Sequence, residues 1–241
     1  MTQPAPAIRF RGSAAHGGVP LFTGLDLTLS AGDWTCLLGV SGVGKTTILR
    51  MIAGLETAAQ LEGEITPADG VPLAGRVAYM AQSDLLLPWA TVRENVALGA
   101  RLRGEAVDFA RVAALIGEVG LQDHADKKPN ALSGGQRQRV ALARTLMEDR
   151  AVILLDEPFS ALDARTRTEM QELAHRLLAG RTVLLVTHDP GEAARLANQI
   201  VVMTEAGARQ VAPPEGSAPR VLDDPSYLRA QGALMTELRA G

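Results

Sequence analysis

A glycine-rich segment with one lysine and two threonines carries the clearest chemical signal in this sequence of 241 residues. Residues 39–47 read Gly-Val-Ser-Gly-Val-Gly-Lys-Thr-Thr and lie between a strand-like run and a helix-like run over residues 45–54. Backbone N–H groups in such a loop turn towards phosphate oxygens, and the start of the helix adds a partial positive charge. We therefore predict a nucleoside triphosphate site in which Lys45 meets the β- and γ-phosphates and Thr46 ligates Mg²⁺.

An apolar run that ends in two carboxylates supplies a second chemical signal. Asp156 and Glu157 directly follow Ala-Val-Ile-Leu-Leu over residues 151–155. Beside a phosphate loop, Asp156 would hold Mg²⁺ through its water shell, and Glu157 would orient or deprotonate an attacking water. Without such a loop, the same carboxylates would simply cap the next turn. Together the two signals predict hydrolysis of a nucleoside triphosphate.

The elements that must position these residues alternate between strands and helices. Six short runs are rich in β-branched or large apolar residues, namely 25–29, 34–38, 76–80, 151–155, 182–186 and 199–203. The first run alternates apolar and polar residues, whereas the other five are more continuously apolar, as in strands covered on both faces. This order of elements predicts an α/β fold around a mainly parallel sheet.

A helical insertion interrupts this alternation. Residues 91–120 contain two helix-like runs and no strand-like run, and Thr91 and Glu94 have the spacing of a capping box. We place a helical subdomain at residues 88–149. The nucleotide-binding core around it comprises residues 7–87 and 150–204.

The remaining residues, 205–241, are predicted to form a short C-terminal tail. Residues 206–219 are rich in Ala, Gly and Pro, which predicts an irregular segment or a turn-rich edge. A last helix is predicted over residues 225–239. The tail is too short for a separate regulatory domain.

Composition and charge exclude several classes of protein. The 24 Lys plus Arg residues against 27 Asp plus Glu give a formal charge of −3, and only 3% of residues are aromatic, which argues against a nucleic-acid surface. The longest apolar runs are far shorter than the ~20 residues of a membrane span. The chain begins without the basic and then apolar order of a secretory signal, and Cys36 is its single cysteine. We expect a globular protein of the cytoplasm.

Further motifs, in their order along the chain, resemble those of the ATP-binding cassette (ABC) ATPases. Leu-Ser-Gly-Gly-Gln at residues 132–136 resembles the signature motif of that family, Gln82 its Q-loop, residues 160–163 its D-loop and Thr-His-Asp at 187–189 its switch histidine. The resemblance extends over residues 7–204. It implies a P-loop NTPase of ABC type, with a mainly parallel sheet core, an antiparallel β subdomain, an inserted α-helical subdomain and ATP as the substrate.

The resemblance also implies that two copies of the chain pair head to tail. Ser133 is predicted to cap a helix that starts near Gly134, which makes an anion site with no phosphate loop beside it in sequence. In the family, this motif of one copy closes over the nucleotide held by residues 39–47 of the other, and Asp163 crosses the same interface. The implied nucleotide-binding residues are Gly39, Val40, Ser41, Gly42, Val43, Gly44, Lys45, Thr46, Thr47, Gln82, Ser133, Gly134, Gly135, Gln136 and Asp163.

Metal and catalytic roles follow from the same resemblance. Gln82 is implied to reach Mg²⁺ and the attacking water, so that it joins Thr46 and Asp156 as a metal ligand. His188 is implied to contact the γ-phosphate and to hold the catalytic Glu157 in position.

The adenine partner departs from the family pattern. The family usually stacks adenine on an aromatic ring some two dozen residues before the phosphate loop, where this chain has His16. An imidazole stacks more weakly than a larger ring, and Phe10 is the alternative. The sequence therefore predicts hydrolysis more clearly than it predicts a preference for ATP over GTP.

The segment after Gln82 is the predicted contact with other proteins. Residues 83–89 read Ser-Asp-Leu-Leu-Leu-Pro-Trp, and such a cluster either seals the helical subdomain onto the core or forms a groove for a partner helix. In the family, this groove receives helices of membrane permease subunits. The chain carries no permease segment, so the resemblance implies two separate permease subunits and, indirectly, an external solute-binding protein, with the chain on the cytoplasmic face of the cell membrane.

Within the importers, residues 87–98 and 156–163 are similar to the nitrate, sulfonate and taurine group. Residues 34–39 resemble importers of hydroxymethylpyrimidine, a thiamine precursor, which belong to the same wider group. Two other hypotheses stay open. A soluble ABC ATPase of a non-transport assembly system would not associate with permeases, and a phosphotransferase would leave residues 132–136 and His188 without a task.

Overall fold

The computed structural model describes residues 5–204 and 207–240. Contacts divide the chain into two compact units. Unit 1 comprises Met1–Val77, Arg150–Asp156 and Ala179–Gly241, and unit 2 comprises Ala78–Asp149 and Glu157–Leu178. No helix within the described ranges is long and apolar enough to cross a membrane.

Strands and helices alternate along the chain. The strands are β1 (Ile8–His16), β2 (Val19–Leu29), β3 (Trp34–Gly39), β4 (Ala59–Pro67), β5 (Val77–Met80), β6 (Val152–Asp156), β7 (Thr182–Thr187), β8 (Gln199–Thr204) and β9 (Gly207–Val211). The α-helices are α1 (Lys45–Ile52), α2 (Val92–Val96), α3 (Leu98–Leu102), α4 (Phe109–Glu118), α5 (Gly134–Met147), α6 (Ala164–Leu177), α7 (Pro190–Leu196) and α8 (Pro225–Ala240).

The larger sheet is mainly parallel, as predicted. Five of its strands lie in unit 1 in the order β6-β7-β3-β8-β9. The pairs β6–β7, β7–β3 and β3–β8 are parallel, and only the β8–β9 pair is antiparallel. Every residue of β3, β6 and β7 is buried, which explains their nearly continuous apolar sequences. The predicted α/β class is confirmed.

A second, antiparallel sheet of order β2-β1-β4 also lies in unit 1. In β2, Leu25, Leu27 and Leu29 are buried whereas Asp26 and Thr28 are exposed, as their alternation predicts. The antiparallel β subdomain that the resemblance implies is thus present, although strands β1 and β4 were not predicted individually. Most of β4 is exposed, so its sequence has little strand-like pattern, whereas β1 begins with buried Ile8 and Phe10 alternating with exposed arginines, a signal that was missed.

Unit 2 is mainly helical and contains α2 to α6. Residues 91–120 form three helices rather than the two that the sequence predicts, because a break at Ala97 separates α2 from α3. The predicted capping box is present at the start of α2: the Glu94 N–H donates to the Thr91 hydroxyl, and the Thr91 N–H donates to the Glu94 carboxylate. The subdomain boundaries at residues 88 and 149 stay a prediction.

The C-terminal tail is more regular than its composition suggests. The prediction of an irregular segment over residues 206–219 is wrong for β9, which pairs with β8 and closes that end of the sheet. The last helix, α8, runs over Pro225–Ala240 and agrees with the prediction.

Candidate functional site

The phosphate loop joins β3 to α1 and is shaped by glycine. Gly44 has a φ of 93° at the start of α1, a left-handed conformation that side chains disfavour. A Cβ at this position would also lie 3.0 Å from the ring of Phe22. The Lys45 side chain is buried, and its Nζ donates to the carbonyl oxygens of Gly39 (2.8 Å) and Val40 (2.6 Å). The lysine therefore lies along the loop that is predicted to hold the phosphates.

The two oxygen groups that are predicted to hold Mg²⁺ in this unit meet at the carboxyl end of β6. Thr46 Oγ1 donates to Asp156 Oδ1 over 3.2 Å, and Asp156 is 1% exposed. A hydroxyl and one carboxylate fit Mg²⁺, which usually binds through one or two carboxylates, water and substrate phosphates rather than an all-protein cage. No cluster of three or more His, Cys, Asp or Glu residues able to hold a metal occurs within residues 5–204 and 207–240.

Glu157 is held in a strained backbone conformation. Its φ is 47°, in the left-handed region that a non-glycine residue rarely adopts. Its carbonyl oxygen accepts hydrogen bonds from Gln138 Nε2 (3.1 Å) and from the N–H and hydroxyl of Ser160 (3.3 and 3.0 Å). Its carboxylate accepts from Gln82 Nε2 over 3.0 Å. The two residues assigned to the attacking water are thus in direct contact.

A hydrogen-bonded loop presents His188 at the end of β7. His188 is exposed, whereas Thr187 before it is buried. The Thr187 hydroxyl donates to the buried Glu192 carboxylate over 2.7 Å and accepts from the Asp189 N–H over 3.0 Å. Asp189 in turn caps α7 by accepting from the Gly191 N–H over 2.7 Å. This local network fixes the backbone on both sides of the histidine.

Ser133 begins α5 as the sequence predicts. The Ser133 hydroxyl accepts from the Gln136 N–H (3.2 Å), and the Gln136 side-chain oxygen accepts from the Ser133 N–H (2.9 Å). Because that oxygen faces Ser133, the Gln136 amide NH₂ faces His124 and donates to its Nε2 over 3.0 Å. His124 is thus a contact of the signature motif.

Asp163 caps α6. Its Oδ1 accepts from the Thr166 N–H over 3.0 Å, and the hydrogen bonds from Thr166 lower the pKa of the carboxyl below its ordinary value. The residue is exposed. Its predicted place at an interface between two copies stays a prediction.

His16 and Phe10 differ in their availability for adenine. His16 is exposed at the end of β1, and its Nδ1 lies 3.1 Å from the carbonyl oxygen of Ala58. Phe10 is fully buried and makes an edge-to-face contact with Phe22, with ring centroids 5.9 Å apart. Phe10 therefore cannot stack on a nucleotide in this structure, and His16 remains the predicted partner.

The segment after Gln82 holds two apolar side chains away from unit 2. Leu85 and Trp89 are 63% and 69% exposed, and Leu85 has a φ of 47°. The Arg144 guanidinium, whose pKa is lowered by burial, donates to the carbonyl oxygens of Asp84 and Leu85 (2.7 and 2.8 Å).

A buried asparagine also holds the backbone of this segment. Asn95 is 0% exposed, accepts from the Leu87 N–H and donates to the carbonyl oxygens of Leu87, Ala90 and Thr91. The backbone is therefore satisfied from inside while the leucine and the tryptophan face outward.

The predicted site residues fall into two groups. In unit 1 the structure brings together the phosphate loop, Lys45, Thr46 and Asp156, whereas in unit 2 it brings together Gln82 and Glu157. Sequence reasoning missed residues that hold these groups, namely His124, Gln138, Asn95 and Arg144. A polar residue in the apolar stripe of a helix is the one signal that could have indicated Asn95 and Gln138.

Comparison with known proteins finds a matching family and similar proteins in bacteria. The family described as ABC transporter matches residues 22–160. An uncharacterized ABC transporter ATP-binding protein of Haemophilus influenzae is 45% identical over 233 residues, which cover 94% of this chain and 95% of the relative. The aliphatic sulfonates import ATP-binding protein SsuB 2 of Agrobacterium fabrum is 48% identical over 193 residues, which cover 78% of this chain and 72% of the relative.

A solved structure is similar in fold. It is the dimeric structure of a post-hydrolysis state of the ATP-binding cassette MJ0796 bound to ADP and Pi. The TM-score is 0.74 at 28% sequence identity, and the match covers 89% of this chain and 99% of that one. The likeness thus extends over most of both chains.

Proposed function

The chain belongs to the ABC transporter family, and we propose that it is the subunit that binds and hydrolyses ATP to drive a multi-chain importer of a small solute. Relatives named as import ATP-binding proteins support the importer, and the hydrogen-bonded residues of the phosphate loop and of the acidic pair support hydrolysis. The chain would lie on the cytoplasmic face of the membrane and act as a pair of copies. The dimeric form of the similar cassette supports the pair.

ATP binding rests on residues of unit 1. Lys45 would leave the two loop carbonyl oxygens that it contacts and pair with the β- and γ-phosphates, which offer it a stronger charge-assisted bond. Thr46 and Asp156 would hold Mg²⁺, which would neutralise phosphate charge. His16 would stack on the adenine.

The contact between Gln82 and Glu157 is the observation that carries hydrolysis. Gln82 Nε2 donates to the carboxylate over 3.0 Å, and three further donors hold the Glu157 carbonyl oxygen. A carboxylate fixed in this way can accept a proton from water as the water oxygen bonds to the γ-phosphorus. The bond from that phosphorus to the β,γ-bridging oxygen breaks, ADP leaves with the bond's electron pair, and His188 would contact the γ-phosphate oxygens during this step.

The signature motif supports a site shared between two copies. Ser133 and Gly134 at the start of α5 are exposed, and the partial positive charge of this helix end favours an anion. The nucleotide held by the phosphate loop of a second copy would supply the anion. Asp163 would cross the same interface.

Glu157→Gln tests hydrolysis directly. We expect Mg-ATP binding to be retained and turnover to fall by about 100-fold or more, because the amide cannot accept the proton of the attacking water. Glu169→Gln, an exposed glutamate on α6, is the matched control and should hydrolyse ATP normally. Normal turnover by Glu157→Gln would remove Glu157 from the base role.

The exposed Leu85 and Trp89 support docking to permease helices. Their backbone is held by Arg144 and Asn95, so that the two side chains are presented at little entropic cost when a partner binds. We expect Leu85→Ser to reduce copurification with two permease subunits while ATP binding is unchanged. Leu102→Ser, at a leucine that is 78% exposed in α3, is the matched control. Undiminished copurification of Leu85→Ser would contradict the docking proposal.

The solute is proposed from the relatives, because no residue of this chain is expected to touch it. Several relatives are named for aliphatic sulfonates, including one of Pseudomonas syringae that is 42% identical over 229 residues, 93% of this chain and 92% of the relative. Sulfonates are therefore the first candidates in the nitrate, sulfonate and taurine group. Loss of the chain should abolish growth on an alkanesulfonate as sole sulfur source and spare growth on sulfate. Growth on both would contradict this solute class.

A further inference from the structure

A buried arginine in the tail is bound to the end of the helix that follows His188. Arg220 is 6% exposed, and burial lowers the pKa of its guanidinium. Its Nη1 donates to the carbonyl oxygens of Ala194 (3.0 Å) and Ala197 (2.9 Å), and its Nε donates to that of Pro214 (3.0 Å). The guanidinium therefore joins the tail to the carboxyl end of α7.

This end of α7 is suited to a cation. The last carbonyl groups of a helix have no partner within the helix and carry partial negative charge. Arg220 also donates its N–H to the Arg195 carbonyl oxygen (3.0 Å), and Arg195 Nε donates back to the Arg220 carbonyl oxygen (3.3 Å). Backbone and side chain together hold the last turn of α7 in place.

Helix α8 packs against the other end of α7. A Cβ added to Gly191 would lie 2.9 Å from Gln231 Nε2, 3.0 Å from the Tyr227 hydroxyl and 3.1 Å from Asp189 Oδ1, so a larger residue would displace the Gln231 side chain. Tyr227 is 5% exposed, and its pKa is raised by burial and by the negative charge of Asp189. Two polar side chains of α8 thus close on the first turn of α7.

The first turn of α7 is continuous with the loop of His188. Asp189 caps the helix, and Thr187 is hydrogen bonded to Glu192 within it. His188 lies between these two anchors. Any shift of α7 along or about its axis would therefore move the imidazole.

We propose that the C-terminal segment over residues 214–231 positions the loop of His188 for ATP hydrolysis, with Arg220 and Tyr227 as positioning residues at the two ends of α7. The inference rests on the proposed function, since it assigns the tail a part in that reaction. The segment holds α7 without touching the nucleotide. Its effect is on the placement of His188 and hence on turnover rather than on binding.

Histidine ring resonances give a test that does not require nucleotide. The chain has four histidines, and His188→Gln would identify the signal of His188. Tyr227→Phe removes one hydroxyl beside Asp189 and should shift the His188 signal while the other three stay in place. Thr236→Val removes a hydroxyl from the exposed side of the same helix, where it donates to the Gly232 carbonyl oxygen, and should shift none.

Steady-state hydrolysis is the second readout. Removal of the buried Tyr227 hydroxyl from beside the first turn of α7 should lower kcat of Tyr227→Phe by about three- to tenfold, with KM for ATP unchanged. Arg220→Lys should also lower kcat, because a single ammonium group cannot donate to the carbonyl oxygens of α7 and of Pro214 at the same time. If the Arg220 variant fails to fold, Tyr227→Phe still tests whether the tail positions the loop of His188.

A merely structural tail makes a different prediction. Tyr227→Phe would then lower the midpoint of thermal unfolding while both the His188 signal and kcat stay unchanged, and this result would overturn the inference. A wild-type chain that does not hydrolyse ATP would instead overturn the proposed function, and the His188 signal would still report whether the tail positions the loop.

Discussion

The phosphate loop and the signature segment are both glycine-containing turns that lead into a helix, but they treat the free N–H groups of that helix differently. Helix α1 begins at Gly44 with no side-chain hydrogen bond to its cap among the residues that the structure describes there, and Lys45 lies across the loop. Helix α5 begins at Ser133 with a complete capping box to Gln136.

The difference indicates which half of the site is sufficient alone. In the phosphate loop, the backbone N–H groups and the buried Lys45 are predicted to bind an anion that enters from solvent. In the signature segment, side chains already satisfy part of the helix end, and no lysine lies in the motif. We therefore expect the first half to bind nucleotide by itself and the second half to contribute only when another copy brings a nucleotide to it.

The largest expected effect comes from removing the cation of the phosphate loop. Lys45→Met should weaken ATP binding by about 100-fold or more, because a buried charged partner of the phosphates is lost. Titration calorimetry with ATP measures it. Lys128→Met, at an exposed lysine of unit 2, should bind ATP as the wild type does. Equal affinity of the two variants would contradict the role of Lys45.

A smaller effect separates the two capping boxes of unit 2. Ser133→Ala and Thr91→Ala should each lower the free energy of unfolding by about 1 kcal/mol, because each removes one helix cap. Only Ser133→Ala should also lower the ATPase rate, since Thr91 has no predicted contact with nucleotide. Denaturant titration and steady-state kinetics give the two quantities. An equal loss of activity in both variants would contradict a role of Ser133 beyond capping its helix.

The smallest effect concerns the cap of α6, which titrates whereas the serine cap of α5 does not. The folded pKa of Asp163 is lowered from 3.8, so its carboxylate stabilises the fold at neutral pH, and this contribution is lost as the pH falls through the folded pKa. Asp163→Asn keeps an acceptor without a charge. The stability difference between wild type and Asp163→Asn should be constant above about pH 5 and shrink below about pH 4. A difference that is flat down to pH 2 would contradict it.

Local sequence patterns predicted the motifs of the candidate site well. The phosphate loop, the acidic pair after β6 and the caps at Thr91 and Ser133 depend on residues within a few positions of one another, and the structure has the loop, the strand and both caps where they were expected. The parallel strands were also visible, because burial on both faces leaves a continuous apolar run.

Distant contacts were not predictable in this way. Strand β4 is mostly exposed and pairs with β1 across more than 40 residues of sequence, and β9 lies in a segment rich in Ala, Gly and Pro. The left-handed conformation of Glu157 depends on donors from Gln138 and Ser160. Arg220 donates to carbonyl oxygens, which leave no charge pattern in the sequence.

ATP-dependent dimerisation of Glu157→Gln, measured by light scattering, tests the shared site most directly. The parallel sample carries Ser133→Arg as a second change, which would place a bulky cation where the partner's nucleotide must lie. We predict a dimer of Glu157→Gln with Mg-ATP, a monomer of the double variant, and equal ATP binding by both monomers. A dimer that persists with Ser133→Arg, or a loss of ATP binding by the double variant's monomer, would contradict a site shared between two copies.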